Sequence, residues 1–272
     1  MRYVVLGESA DAPWTGHFKG ENSVAVGAMD GDELAAYAVY SAAAYDTEYI
    51  WLEYVYTLDN YREKYVASDL IEHMERIWKK SGYKYILARI VEENALDSAA
   101  YQLMNSTYFT PLQEDNKIFV YRYHDMKSNE RIEKLIKVGH TDFGVVHIGS
   151  RRNYEYKDFC KELKNNGTDI ENVSFDIKLS CFSRGSDAKI NGCMLMERST
   201  SGVTVKYVYV SKNAGKYALI YMVYDMLVSL KEYTDNESIS IILNGKKYID
   251  FFMYFFPDYY KSYDMWDYIM KL

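Results

Sequence analysis

Cysteine is scarce in this chain: three among 272 residues, at Cys160, Cys181 and Cys193. They are odd in number and widely spaced, which matches neither a zinc-ligand pattern nor a disulfide framework and points to reduced thiols in a cytoplasm. Long apolar runs are missing as well. No segment approaches the uninterrupted length of a membrane-spanning helix, and the opening MRYVVLGESADAPW holds too short an apolar run for a signal peptide. Positive charge is in deficit, 32 Lys and Arg against 39 Asp and Glu, for a net charge of -7. A general nucleic-acid binder normally shows a basic face, so that class is set aside, while an acidic chain is compatible with cationic substrates such as amines. The five histidines (His17, His73, His124, His140 and His147) have no spacing suited to joint metal binding, and no metal site is predicted.

What is present is a globular composition, 49% hydrophobic and 26% charged, on a chain long enough for two domains. NSVAVGAMDGDELAAYAVYSA predicts two strands joined at Asp30-Gly31, a hairpin signal. EYIWLEYVYTL, KYILARI and KIFVYRY read as strands. ASDLIEHMERIWKKSG carries Leu70, Ile71, Met74, Ile77 and Trp78 on one helical stripe and closes at Gly82; NALDSAAYQLMNS predicts a second helix. MKSNERIEKLIKV is charged, lacks a strong core pattern and reads as an interdomain connector.

Beyond it the first pattern returns. KYVYVSKNAGKYALIYMVYDM lays onto EYVYTLDNYREKYVASDLIEHM with one residue deleted in the turn. Tyr54-Val55-Tyr56-Thr57 matches Tyr207-Val208-Tyr209-Val210, and Met74 matches Met226. SISIILNG follows as a strand and KKYIDFFMYFF as the last helix, cut short at Pro257. A repeat of half the chain implies a duplicated domain, with expected boundaries at 1–128 and 129–272.

TLDNYREKYVASDLI resembles the signature of the GNAT superfamily of acyl-CoA-dependent N-acetyltransferases, in which a strand and a polar turn lead into Arg/Gln-x-x-Gly-x-Gly/Ala at a helix start. Arg62, Val66 and Ala67 fit, and Tyr65 replaces the glycine. DSAAYQLMNSTYF resembles the family's later helix through Ala100, Leu103 and Phe109, with Met104 at the usual tyrosine. The resemblance implies an α+β fold: two tandem GNAT-like domains, each a mixed, mostly antiparallel twisted sheet flanked by helices.

It also implies a site and a reaction. The edge of Val55, Tyr56 and Thr57 would pair with the pantetheine arm of acetyl-CoA. The N–H groups of Glu63, Lys64, Tyr65, Val66 and Ala67 would cradle its pyrophosphate at the positive end of the helix, with Arg62 and Lys64 adding charge and Ser68 completing the cofactor-binding set. Tyr65 either swings outward or fills that cradle. Glu53 is the candidate base, placed by strand alternation on the face of Val55 and Thr57, and Tyr101 or Tyr108 stands in for the missing acid. The acceptor is a primary amine of a small molecule or peptide, attacking the thioester directly. The protein is expected to be cytoplasmic, monomeric or homodimeric, with no nucleic-acid or membrane partner. In the second copy Ala214, Tyr217 and Leu219 stand at the cradle positions, which implies a degenerate, structural half. The alternative is a non-catalytic binding or regulatory protein on the same fold; transfer from aminoacyl-tRNA, known for duplicated GNAT folds, is disfavoured by the acidic balance.

Overall fold

The structure, a computed structural model, describes the chain apart from residues 8, 10, 20–21, 43–47, 94–97, 114–115, 139–143, 148–152, 166–169, 171–172, 187–188, 201, 213 and 215–216. The first stretch runs β1 (Arg2–Leu6), β2 (Ser23–Asp30), β3 (Glu33–Ala42), β4 (Tyr49–Thr57), α1 (Val66–Lys80), β5 (Tyr85–Glu92), α2 (Ala99–Ser106) and β6 (Thr110–Gln113). Then follow β7 (Asn116–Arg122), α3 (Tyr123–Lys127), α4 (Glu130–Val138), β8 (Val145–Val146), α5 (Asn153–Asn165), β9 (Cys181–Arg184) and β10 (Ile190–Ser199). The chain ends with β11 (Gly202–Val210), α6 (Ala218–Ser229), β12 (Ser238–Asn244), α7 (Lys246–Phe255) and β13 (Lys261–Lys271).

These elements form two compact units, 1–114 with 264–272, and 115–263. The boundary expected from the sequence at 128/129 does not coincide with them. Residues 115–128 lie with the second unit because β7 pairs with β12, from Ser238↔Arg122 to Asn244↔Asn116. The last nine residues lie with the first because β13 pairs with β5, from Asp264↔Glu92 to Lys271↔Tyr85. Each copy thus lends the other its terminal strand.

In the first unit the strands run β1-β2-β3-β4-β5-β13, with β6 against β13, and only β4–β5 is parallel. In the second the order is β7-β12-β11-β10-β9-β8, and only β11–β12 is parallel. Each is a mixed, mostly antiparallel sheet in which one strand–helix–strand crossover supplies the parallel pair. The Asp30-Gly31 hairpin forms as the sequence predicts, with Gly31 at φ +63° and Asp30 opposite Glu33. α1 buries Val66, Leu70, Ile71 and Met74; of the rest of the predicted stripe Trp78 is half-buried against the core and Ile77 is exposed, and Gly82 at φ +94° follows the helix end.

The main core of the first unit lies under α1 and α2, where Tyr40, Ile50, Leu70, Ile86, Tyr268 and Met270 are buried together. The opposite sheet face carries a smaller aromatic cluster, with Tyr37 buried and Trp14, Phe18, Tyr54 and Tyr56 half-buried around it. The second unit covers both of its faces: α6 and α7 pack over one, and Tyr156, Phe159 and Leu163 of α5 cover the other. The charged stretch predicted as a connector is part of this core. Met126 and Ile132 are fully buried in it, and Asn129 anchors α4 by donating to the Phe255 carbonyl at 2.7 Å while its own carbonyl accepts from Glu133 N–H at 2.9 Å. Two apolar anchors among charged neighbours make too weak a stripe for periodicity to detect.

Because β13 completes the first unit, trimming it should harm that unit. Met270→Ala is expected to cost about 2–5 kcal/mol, the range for a large side chain removed from a core. A lower denaturation midpoint at an unchanged slope checks it.

Candidate functional site

The parallel ladder between β4 and β5 runs only from Tyr49↔Tyr85 to Leu52↔Ala88. β4 continues against β3, with Tyr54, Val55, Tyr56 and Thr57 opposite Val39, Ala38, Tyr37 and Ala36, so its other edge parts from β5 and opens a wedge. The parting starts at a β-bulge. Tyr40 faces Leu52 and Val39 faces Tyr54, so Glu53 is the extra residue. A bulge bends its strand and re-aims side chains.

That re-aiming corrects the strand alternation. Leu52 and Val55, three residues apart, both pack into the core under α1, so Glu53 does not share the face of Val55 and Thr57. It is half-buried, and the hydroxyl of Ser41 donates to its Oε1. Ser41 stands directly opposite Trp51 on β3–β4. The sequence hinted at this partner only as a lone hydroxyl in the apolar strand AAYAVYSA.

At the wide end of the wedge lies the turn into α1. Glu63 and Tyr65 adopt left-handed backbone at φ +61° and +60°. For residues with a Cβ each such conformation costs about 1–2 kcal/mol. The surroundings enforce it: Lys64 donates to the Asn60 carbonyl at 2.8 Å, Leu58 N–H to the Ala35 carbonyl at 3.0 Å, and Tyr61 OH to Glu33 at 3.0 Å. Arg62 pairs with Asp59 at 3.0 Å and lies over the Tyr56 ring. Left-handed residues in such a turn draw successive N–H groups into a concave nest that suits an anion. α1 makes its first backbone bond from Asp69 N–H to Tyr65 C=O at 2.9 Å, so the amides of Val66, Ala67 and Ser68 precede the helical ladder. Tyr65 itself is 77% exposed: its ring stands in solvent while its backbone takes the conformation a glycine would supply.

The two candidate acids have different surroundings. Tyr101 is half-buried, its ring edge against Trp266 at 5.6 Å, whereas Tyr108 is 74% exposed. Met104, at the place where the resemblance leads one to expect a tyrosine, is buried in the core.

The model of the acetyltransferase (GNAT) family matches residues 3–104. The match lies within the first unit. The chain's fold as a whole is that of tandem GNAT proteins. A tandem GNAT protein from the clavulanic acid biosynthesis pathway superposes with TM-score 0.61 at 9% identity, over 93% of this chain and 85% of that one. A GCN5-related N-acetyltransferase from Sphaerobacter thermophilus gives 0.55 at 13% identity, over 95% and 83%. A glucosamine N-acetyltransferase region in a fungal multi-domain β-N-acetylglucosaminidase gives 0.64 at 11% identity, over 93% of this chain and 34% of that one. At such identities the likeness is one of fold. No curated protein matches the sequence.

The second copy repeats the scaffold and closes it. Its parallel ladder stops at Val205↔Ile241, and the bulge recurs one residue later, with Leu195 opposite Tyr207 and Met196 opposite Val205. The extra residue is Lys206, ion-paired with Glu197, whose carboxyl it holds below the usual carboxylate range. The strand edge that follows is occupied from within. Tyr248 of α7 accepts the Val210 N–H at 2.9 Å, and Lys247 donates to the Val210 carbonyl at 3.4 Å. Tyr217, in the place of Tyr65, has φ -108° and is not left-handed.

If the cradle holds Tyr65 in left-handed backbone against its preference, a glycine there should be tolerated and a β-branched residue should not. Tyr65→Gly is expected to keep stability within about 1 kcal/mol, and Tyr65→Val to lose about 1–2 kcal/mol. Thermal denaturation of the two variants checks the difference.

Proposed function

We propose that the protein is an acyl-CoA-dependent N-acetyltransferase whose centre lies in the first unit, and that the second copy is structural. The observation that carries this is the continuity of three features: a bulge at Glu53, a strand wedge behind it, and a left-handed amide cradle at its mouth. Backbone groups of Val55, Tyr56 and Thr57 hold the pantetheine arm; the amides from Glu63 to Ser68 hold the pyrophosphate, helped by the dipole of α1, while the Arg62 N–H is spent on the Asp59 carbonyl. Acetyl-CoA supplies the acyl group as a thioester.

Glu53 is the base. With one oxygen fixed by Ser41, the other is free to take the proton of the incoming ammonium, which leaves a neutral amine to attack the thioester carbon. The C–N bond forms, the C–S bond breaks, the nitrogen gives up its second proton to water, and the sulfur receives a proton from Tyr101, the more enclosed of the two tyrosines, or from water. Tyr108, in solvent, is the weaker candidate. No helix among the described residues is long and apolar enough to cross a membrane. The three cysteines are buried thiols, which suits a reducing, cytoplasmic setting.

The alternative, a binding or regulatory protein that kept the fold and lost turnover, is favoured by one observation: Met104 cannot donate a proton. The readings separate on one experiment. Titration calorimetry with acetyl-CoA is expected to give one site per chain, and Glu53→Gln to lower kcat by about 10²–10⁴-fold with acetyl-CoA affinity retained. Binding without turnover on any amine favours the alternative, and no binding of acetyl-CoA at all overturns the enzymatic reading.

A further inference from the structure

Three buried polar side-chain groups of the first unit have no hydrogen-bond partner among the described residues: the hydroxyls of Tyr40 and Tyr268 and the indole N–H of Trp78. Such a group lowers stability unless something else comes to fill it. Tyr40 and Trp78 lie together, ring centroids 5.4 Å apart, under the last turn of α1, where one shared water can serve both. Tyr268 stands on another strand, in different company.

Tyr268 is 1% exposed, and β13 sets it against Ala88, which meets Leu52 on its other side. Leu52↔Ala88 is the final rung of the parallel ladder, so only β5, with a small alanine at that place, separates Tyr268 from the start of the wedge. Two residues further along β5, Ile90 pairs with Trp266 and has no partner on β4, and the ring of Tyr101 stands edge-on against Trp266. Tyr268 and Tyr101 thus flank the point where the strands part, in the core that also holds Met104. Glu53 emerges on the opposite face of the sheet. A nitrogen delivered from the side of Glu53 leaves the departing sulfur to the side of the two phenols.

We propose that the hydroxyl of Tyr268 is a further catalytic group of the acyl transfer, donating a hydrogen bond to the sulfur of coenzyme A as negative charge develops there. This rests on the acetyltransferase reading. Tyr268 keeps its proton throughout. Burial first, and then the phenol of Tyr101, push it up to about 12, whereas an ordinary thiol titrates near about 8.5. Full transfer to the sulfur would therefore run uphill, while a hydrogen bond to a thiolate needs the proton to stay on oxygen. The proton that ends on the sulfur still comes from Tyr101 or water. Met104 cannot donate, and a strand from the far end of the chain supplies a donor instead.

Tyr268→Phe removes only the hydroxyl. It is expected to lower kcat about 10²-fold with KM for acetyl-CoA changed by less than about twofold, because a thioester sulfur carries little charge before the transition state. Its melting temperature should stay or rise, since the lost hydroxyl had no partner. Tyr40→Phe removes a hydroxyl of the same kind and should leave kcat unchanged. A readout independent of turnover is the affinity of the full chain for coenzyme A relative to its desulfo analogue, followed by calorimetry from about pH 6.5 to about pH 9.5. A donor that favours the thiolate makes the bound thiol more acidic than the free one. In the wild type that ratio should rise about tenfold as the pH climbs to the free thiol's value, the equivalent of one unit, and in Tyr268→Phe it should not. A wild-type kcat or an unaltered ratio in Tyr268→Phe overturns the proposal. A wild-type ratio that is flat with pH overturns it as well, and decides even if the variant fails to fold. A rising ratio without acetyl transfer to any amine leaves the thiolate contact standing and counts against the enzymatic reading instead; coenzyme A that does not bind overturns both.

Discussion

One skipped residue in the β3–β4 ladder governs the rest of the site. Placing Glu53 outside the pairing bends β4, ends its parallel ladder with β5 at Leu52 and turns a carboxylate onto the face opposite the main core. A regular β4 would stay paired to its end and bury its edge amides against β5. The same irregularity recurs at Lys206, so it belongs to the scaffold and precedes any chemistry built on it. What differs between the copies is what each does with the opening.

In the first copy the opening is kept. Glu63 and Tyr65 hold left-handed backbone at a local cost, and the turn around them is fixed by side-chain and backbone bonds on several sides. Strain of this kind persists only where the surroundings over-determine it, and it concentrates where function needs a preset backbone. In the second copy the N–H and carbonyl of Val210 at the strand end are satisfied by Tyr248 and Lys247, and an ion pair occupies the bulge. A backbone amide that finds an internal partner no longer seeks an external one. The helix α5, with no counterpart on the first unit's aromatic face among the described residues, completes the closure.

Much of this fold is legible from residues alone. The Asp30-Gly31 hairpin, the stripe of α1 and the apolar strands are local patterns, and Tyr54–Thr57 returning at Tyr207–Val210 exposes the duplication. The errors share one cause. Ile132 looks like an isolated apolar residue among charges until α4 is seated; SYDMWDYIM after Pro257 gives no sign that its partner strand lies nearly two hundred residues upstream. Alternation along IWLEYVY puts Glu53 with Val55, since a period of two has no means to register an inserted residue.

The sequence by itself determined which segments are strands and helices, that the unit occurs twice, and that the second cradle has lost its arginine, because these follow from side-chain pattern and identity within a few residues. Only the tertiary structure decided that the two copies exchange their last strands, that Glu53 turns to meet Ser41, and that the ring of Tyr65 stands in solvent. Those outcomes depend on hydrogen-bond register and packing between segments distant in the chain, where each residue's conformation is set by its neighbours in space.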